Sequence, residues 1–158
     1  MRVYRIERQK YLPDTLKGLG AALSTGFRWN SMHTRLVYSA ESRSLALLEV
    51  LVHLDLSEDL PTDRLLVAIE IPDELHVQVM LEADLPPNWH AKPPLRQTQL
   101  LGDAFVRAQE AAVLKVPSSI MPDEFNYLIN PQHPAAAQIK VVGQWPLAFD
   151  GRLLVKKS

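Results

Sequence analysis

Apolar and polar positions alternate in short runs along most of the chain, and helical spacing appears only twice. Val3 to Ile6 predicts a short strand, and RLVYSA at 35–40 a second. RLLVAIEI at 64–71, stopped by Pro72, predicts a third strand, and LHVQVM at 75–80 alternates again. Val113 to Val116 runs into Pro117, and 125–129 and 139–145 complete the strand candidates. Ser42 to Leu56 predicts a helix with Ser42 or Ser44 as N-cap. Leu101, Phe105, Ala108 and Ala112 predict a second helix over 98–112. Gly18, Gly20 and Gly26 mark 11–30 as a loop with special backbone geometry. Pro86-Pro87 and Pro93-Pro94 bracket a rigid loop around Trp89, and Pro117, Pro122, Pro131 and Pro134 mark another. Many strands with two sizeable helices predict an α+β fold and exclude a βαβ repeat.

The first helix carries an anomaly. At about 100° per residue, Glu49 falls among Leu45, Val52 and Leu56, with Leu48 flanking the stripe. A carboxylate on an apolar face is costly to bury unless donors meet it. Periodicity alone leaves two readings: a satisfied structural carboxylate at the helix edge, or one that points into a pocket toward a hydroxyl or a cation. His53, four residues on, could simply pair with it along the helix.

Composition narrows the chemistry. The 158 residues suit one domain, here taken as 1–158, and 47% hydrophobic content excludes intrinsic disorder. The formal charge of -1 gives no global field for nucleic acid, and the one dense basic pair is Lys156-Lys157. With no cysteine, disulfides, thiolate catalysis and zinc-thiolate or iron–sulfur sites drop out. The charged N-terminal stretch does not read as a secretory signal, and no apolar run reaches the roughly 18–20 residues of a membrane span, so a soluble cytoplasmic protein is expected. His33, His53, His76, His90 and His133 form no metal-binding spacing, and GxGxxG, GxxxxGK[ST] and GxSxG are all absent. Judged singly, Arg28-Trp29-Asn30 and the turn Val116-Pro117-Ser118-Ser119 read as structural.

In order, however, VYRI, GFRWN at 26–30, LVYSA at 36–40, SLALLEVLVHL at 44–54, LKVPSSIMPDEFNYLINPQHP at 114–134 and FDGRL at 149–153 resemble the RES-domain family, over about 2–153. Phe27 departs from the pattern, which has a second glycine before the arginine. The resemblance implies an ADP-ribosyltransferase-like fold, with strands in two packed sheets and a few flanking helices. It implies a bacterial toxin of a toxin–antitoxin pair that consumes NAD by cleaving its nicotinamide–ribose bond, by hydrolysis or phosphorolysis. ADP-ribosyl transfer to a protein, or an inactive antitoxin-binding module of the same fold, are the alternatives. The implied partner is a Xre-like antitoxin that covers the active site, with DNA reached only through that partner. NAD is implied as substrate, with no cofactor and no metal.

Matched residue by residue, the resemblance places the family arginine at Arg28, its aromatic at Tyr38, its glutamate at Glu49 and its serine at Ser118, with Ser119 as the alternative; Asn130 of LINP is a further pocket candidate. The chemistry suits these types. Nicotinamide leaves as a neutral molecule, so no strong acid is required. An oxocarbenium-like charge grows on the ribose, which a carboxylate stabilises best in a dry site. An arginine fork suits a diphosphate, an aromatic ring stacks on nicotinamide, and a serine hydroxyl donates to ribose or amide.

Overall fold

The computed structural model describes residues 1–25, 27–57 and 59–154; Gly26 and the Lys156-Lys157 pair lie outside the described residues. In chain order the main elements are β1 (Arg2–Arg8), α1 (Leu19–Ala22), β2 (Val37–Ala40), α2 (Arg43–Leu51), β3 (Arg64–Glu70), β4 (Val77–Val79), α3 (Arg96–Ala108), β5 (Val113–Pro117), β6 (Phe125–Ile129) and β7 (Lys140–Pro146). Short 3-10 turns fill several connections. The α+β class stands, but the expectation of two packed sheets does not. One seven-stranded sheet runs in the order β4-β5-β6-β2-β1-β3-β7. The reason is β1, which pairs with β3 along its whole length and also joins β2, so the ladder is continuous. The join is narrow: β1 and β2 share the single register pair Tyr4↔Ala40. Beyond that pair the strands diverge, and Arg5 reaches across to donate 3.3 Å to the Tyr38 carbonyl.

Alternation along the strands sorts side chains to two faces. Val3, Val37, Val67, Ile69, Val113, Tyr127 and Ile129 pack on one. Leu114, Val116 and Leu128 point the other way, against Trp29, Trp89 and Phe105. Beside them, α2 lays Leu45 and Ala46 on Ala40 and Tyr4.

Both helices differ from the expected bounds. Ser42 caps α2, its hydroxyl accepting from the Leu45 amide at 3.1 Å. The helix stops at Leu51 rather than Leu56. Past it the Asp55 carboxylate takes the Ser57 amide at 2.9 Å, a local bond that competes with helix continuation. Leu56 therefore leaves the stripe, and Val52 is 40% exposed. The second helix spans 96–108 rather than 98–112. Gln109 ends it at φ 55, its side-chain amide donating 3.0 Å to the Val106 carbonyl. Its buried face carries Thr98, Gly102, Asp103 and Phe105; of the expected stripe, Leu101 is half-buried and Ala108 exposed, Phe105 is buried, and Ala112 is buried past the helix end. Arg35 lies outside β2, and only 77–79 of the 75–80 segment forms strand.

Candidate functional site

The polar inward face of α3 exists to hold a loop. Gln99 Nε2 donates 3.0 Å to the Phe27 carbonyl and 3.3 Å to that of Thr25. The Asp103 carboxylate accepts the Ser31 amide at 3.0 Å and the Ser31 hydroxyl at 2.5 Å. Between them Gly102 lets the backbone of Trp29 lie directly on the helix. The segment between, with Arg28 at its centre, is thus fixed by backbone contacts that no hydrophobic stripe would reveal.

Arg28 is fixed in turn by the loop around Trp89. Nη1 donates 2.6 Å to the Trp89 carbonyl and 3.1 Å to that of Ala91, and Nη2 makes a longer 3.5 Å contact with the His90 carbonyl. The Nε–Nη2 edge of the guanidinium keeps its Nε–H uncommitted among the described residues. Partial burial lowers the Arg28 pKa from its ordinary value, while the charge of Glu49 pulls it back up. The group stays protonated at any physiological pH.

Tyr38 is the keystone of the same loop. Its hydroxyl donates 2.6 Å to Asn30 Oδ1 and accepts from the Trp29 amide at 3.1 Å. Asn30, fully buried, spends its amide on the carbonyls of Ala21, Ser31 and Thr34. Burial pushes the Tyr38 phenol well above the usual tyrosine range, so it remains a neutral donor. Phe27 stacks on its ring at 5.0 Å between centroids, and both rings line the same cavity. Tyr38→Phe would strand the Trp29 amide and Asn30 Oδ1, a loss of about 1–3 kcal/mol of stability. Thermal denaturation checks this; an unchanged melting temperature would mean that the hydroxyl does not hold the loop.

Glu49 faces these groups from α2. Its Oε1 accepts from Asn126 Nδ2 at 2.8 Å and from Ser118 Oγ at 3.3 Å. No described residue bonds Oε2. Ser118 follows β5 and also anchors its own turn, its hydroxyl accepting the amides of Ile120 and Met121, each at 3.1 Å.

These side chains surround a cavity of about 390 Å³, within the usual range for small-molecule sites. Phe27, Arg28, Tyr38, Glu49 and Asn126 line it, together with Arg5 and Ser119. It lies where β1 and β2 part, so the narrow join in the sheet makes room for it. Cations outnumber carboxylates on its wall: Arg5, Arg8, Arg28, Arg64 and Lys92 against Glu7 and Glu49. Arg5 is ion-paired to Glu7 at 2.9 Å, and its burial lowers its pKa despite that partner. Ser118 reaches the site through Glu49 rather than as part of the cavity wall, where Ser119 stands. Asn130 lies elsewhere: fully buried past β6, it donates to the Val106 carbonyl at 3.4 Å and accepts the Gln132 amide at 3.0 Å.

Asn126 and Arg5 were missed by sequence reasoning. Alternation puts Asn126 on the face of β6 opposite Tyr127 and Ile129, the available signal, and the structure shows that this face lies beneath α2. Among the described residues, no group of three or more His, Cys, Asp or Glu gathers as a metal site would require, and no helix is long and apolar enough to cross a membrane.

Comparison with known proteins places this architecture. The sequence model of the RES domain matches residues 2–150. A Sphingobium sp. (strain YBL2) protein named Prs ADP-ribosylating toxin is 43% identical over 154 residues, covering 95% of this chain and 93% of its own. Proteins named Toxin Res are 45% identical over 127 residues in Pseudomonas putida KT2440 and 35% over 159 residues in Photorhabdus laumondii; they cover 80% and 100% of this chain and 84% and 100% of their own. The crystal structure of the M. tuberculosis MbcT-MbcA toxin–antitoxin complex contains a chain that superposes with a TM-score of 0.71, covering 92% of this chain and 83% of that one at 18% identity, a likeness of fold.

Proposed function

Because this chain belongs to the RES domain family, we propose that it is the toxin of a toxin–antitoxin pair and that it acts on NAD at the nicotinamide–ribose bond. The observation that carries the reading is the free Oε2 of Glu49, which shares one cavity with the Arg28 guanidinium. The Nε–Nη2 edge of Arg28 binds a diphosphate oxygen pair. The Tyr38 ring stacks on nicotinamide and holds the bond in a reactive geometry. As the C–N bond breaks, its electron pair leaves with nicotinamide, which departs neutral and needs no proton. Positive charge grows on the ribose, and the carboxylate of Glu49 stabilises it in a partly dewatered site. Water then gives ADP-ribose, phosphate gives ADP-ribose 1″-phosphate, and a protein side chain gives an ADP-ribosylated protein. None of these steps needs a metal or a cofactor.

Transfer to a protein is the second reading, favoured by the name of the Sphingobium relative. Mass analysis of the ribose-containing product, with and without phosphate and with a protein acceptor, separates the three outcomes. Intact NAD under all of them would overturn the activity. Arg28→Lys is expected to lower kcat/KM by about 10- to 100-fold, the worth of one charge-assisted bond, because Lys lacks the fork. Retained NAD affinity and rate would refute the phosphate-clamp role.

An enzyme that destroys NAD must be restrained in its own cell. The cognate antitoxin, Xre-like as the family resemblance implies, is proposed to occupy the cleft with an acidic or carboxyl-bearing segment near Arg28. Contact with DNA would then belong to the antitoxin. Saturating antitoxin should abolish NAD binding in calorimetry; a ternary complex with intact NAD would refute blocking.

A further inference from the structure

We propose that Asn126 is the positioning residue that fixes the Glu49 carboxylate with one oxygen presented to the substrate; this rests on the reading of Glu49 as the group that faces the reacting ribose. Asn126 stands on β6 opposite Ala40 of β2, in the row of the sheet that passes beneath α2. Its Nδ2 donates 2.8 Å to Glu49 Oε1, the shorter of the two bonds that oxygen receives. The other donor, Ser118 Oγ, sits at 3.3 Å, a longer and weaker bond, while its oxygen accepts the Ile120 and Met121 amides. Asn126 is therefore the main restraint on rotation of the carboxylate. Because both donors take Oε1, Oε2 is left to the cavity.

The far end of the same amide supports the assignment. Asn126 Oδ1 is buried and, among the described residues, has no hydrogen-bond partner. An asparagine kept only for architecture satisfies both ends of its amide, and an orphaned buried acceptor needs an explanation. The charge on Glu49 supplies one. Turning the amide over would aim its oxygen at the carboxylate, so the donor end is held toward Glu49 and the acceptor end goes unsatisfied. An unsatisfied group tolerated beside a cavity carboxylate marks a functional constraint.

Two substitutions separate this role from a structural one. Aspartate has the shape of asparagine but no donor; alanine removes both shape and polarity. If Asn126 only fills space, both variants alter stability but leave turnover of the folded protein nearly as it was. If it positions Glu49, turnover falls in protein that is still folded. Asn126→Ala should lower kcat for nicotinamide release by about 10- to 100-fold, as for other residues that orient a functional group, with KM nearly unchanged. Asn126→Asp, which places a second carboxylate against the first, should lose more. Wild-type turnover in folded Asn126→Asp would overturn the positioning role while leaving NAD cleavage standing. Absence of cleavage by the wild-type protein would instead strike the functional reading. A crystal structure of Asn126→Ala tests positioning whatever the substrate is: the Glu49 carboxylate should rotate or spread over several orientations, and an unchanged, well-ordered carboxylate would refute the proposal.

Discussion

Glu49→Gln is expected to lower the rate of NAD cleavage by about 100-fold or more while leaving the fold intact. The geometry makes this substitution unusually clean. Among the described residues, both side-chain bonds to Glu49 fall on Oε1, from Asn126 at 2.8 Å and Ser118 at 3.3 Å. A glutamine carbonyl oxygen accepts the same two bonds in the same place. The change is thus confined to Oε2, the oxygen no described residue bonds, where a neutral donor replaces a negatively charged oxygen. Ground-state binding should suffer less than turnover, since the carboxylate matters most when charge grows on the ribose. Steady-state kinetics with a matched melting curve checks this, and near wild-type turnover in a folded protein would rule out the role given to Glu49.

Gly102→Ala is expected to damage stability and activity together, far from the chemistry. A Cβ at this position would lie 1.6 Å from the Trp29 carbonyl oxygen and 2.6 Å from its carbon. These are backbone atoms, so no side-chain rotation relieves the clash; α3 and the Arg28 loop must separate. Overpacking in a well-filled core costs about 1–3 kcal/mol and sometimes more, and a backbone clash belongs at the upper end. For a domain near this size about 3 kcal/mol lowers the melting temperature by about 6–12 °C. The rate should fall even well below the transition, because Gln99 and Asp103 would no longer hold the loop in register. Gly20→Ala is the control, since a Cβ there meets nothing within 4 Å. Equal melting temperatures for the two variants would show that the close approach of α3 to Trp29 does not matter.

The strands and the cap at Ser42 were legible because alternation and capping are local physics, read within a few residues. Glu49 on its helix was legible for the same reason, although α2 ends before Leu56 and Val52 is partly exposed. The face of α3 was misread because the pattern assumes that a helix buries apolar side chains. This helix buries Gly102 and Asp103 against backbone, which needs closeness and hydrogen bonds rather than hydrophobicity. A glycine inside a helix was the one available hint, since it weakens the helix without a packing reason. The single sheet was not legible, because alternation marks strands but not which of them pair; the two-sheet expectation came with the family resemblance, and one register pair at Tyr4↔Ala40 makes the sheet continuous. Motif resemblance brought Asn130 and Ser118 forward by sequence position, yet Asn130 lies apart from the cavity and Ser118 contacts it only by its bond to Glu49.

The most direct test of the central claim is release of nicotinamide from NAD labelled in that ring. The reaction should contain phosphate and a bacterial protein extract, so that water, phosphate and protein are all present as acceptors. Wild-type protein should release the label progressively, and Glu49→Gln, folded and at equal concentration, should stay near background. A folded wild-type protein that releases no more label than Glu49→Gln would contradict the account.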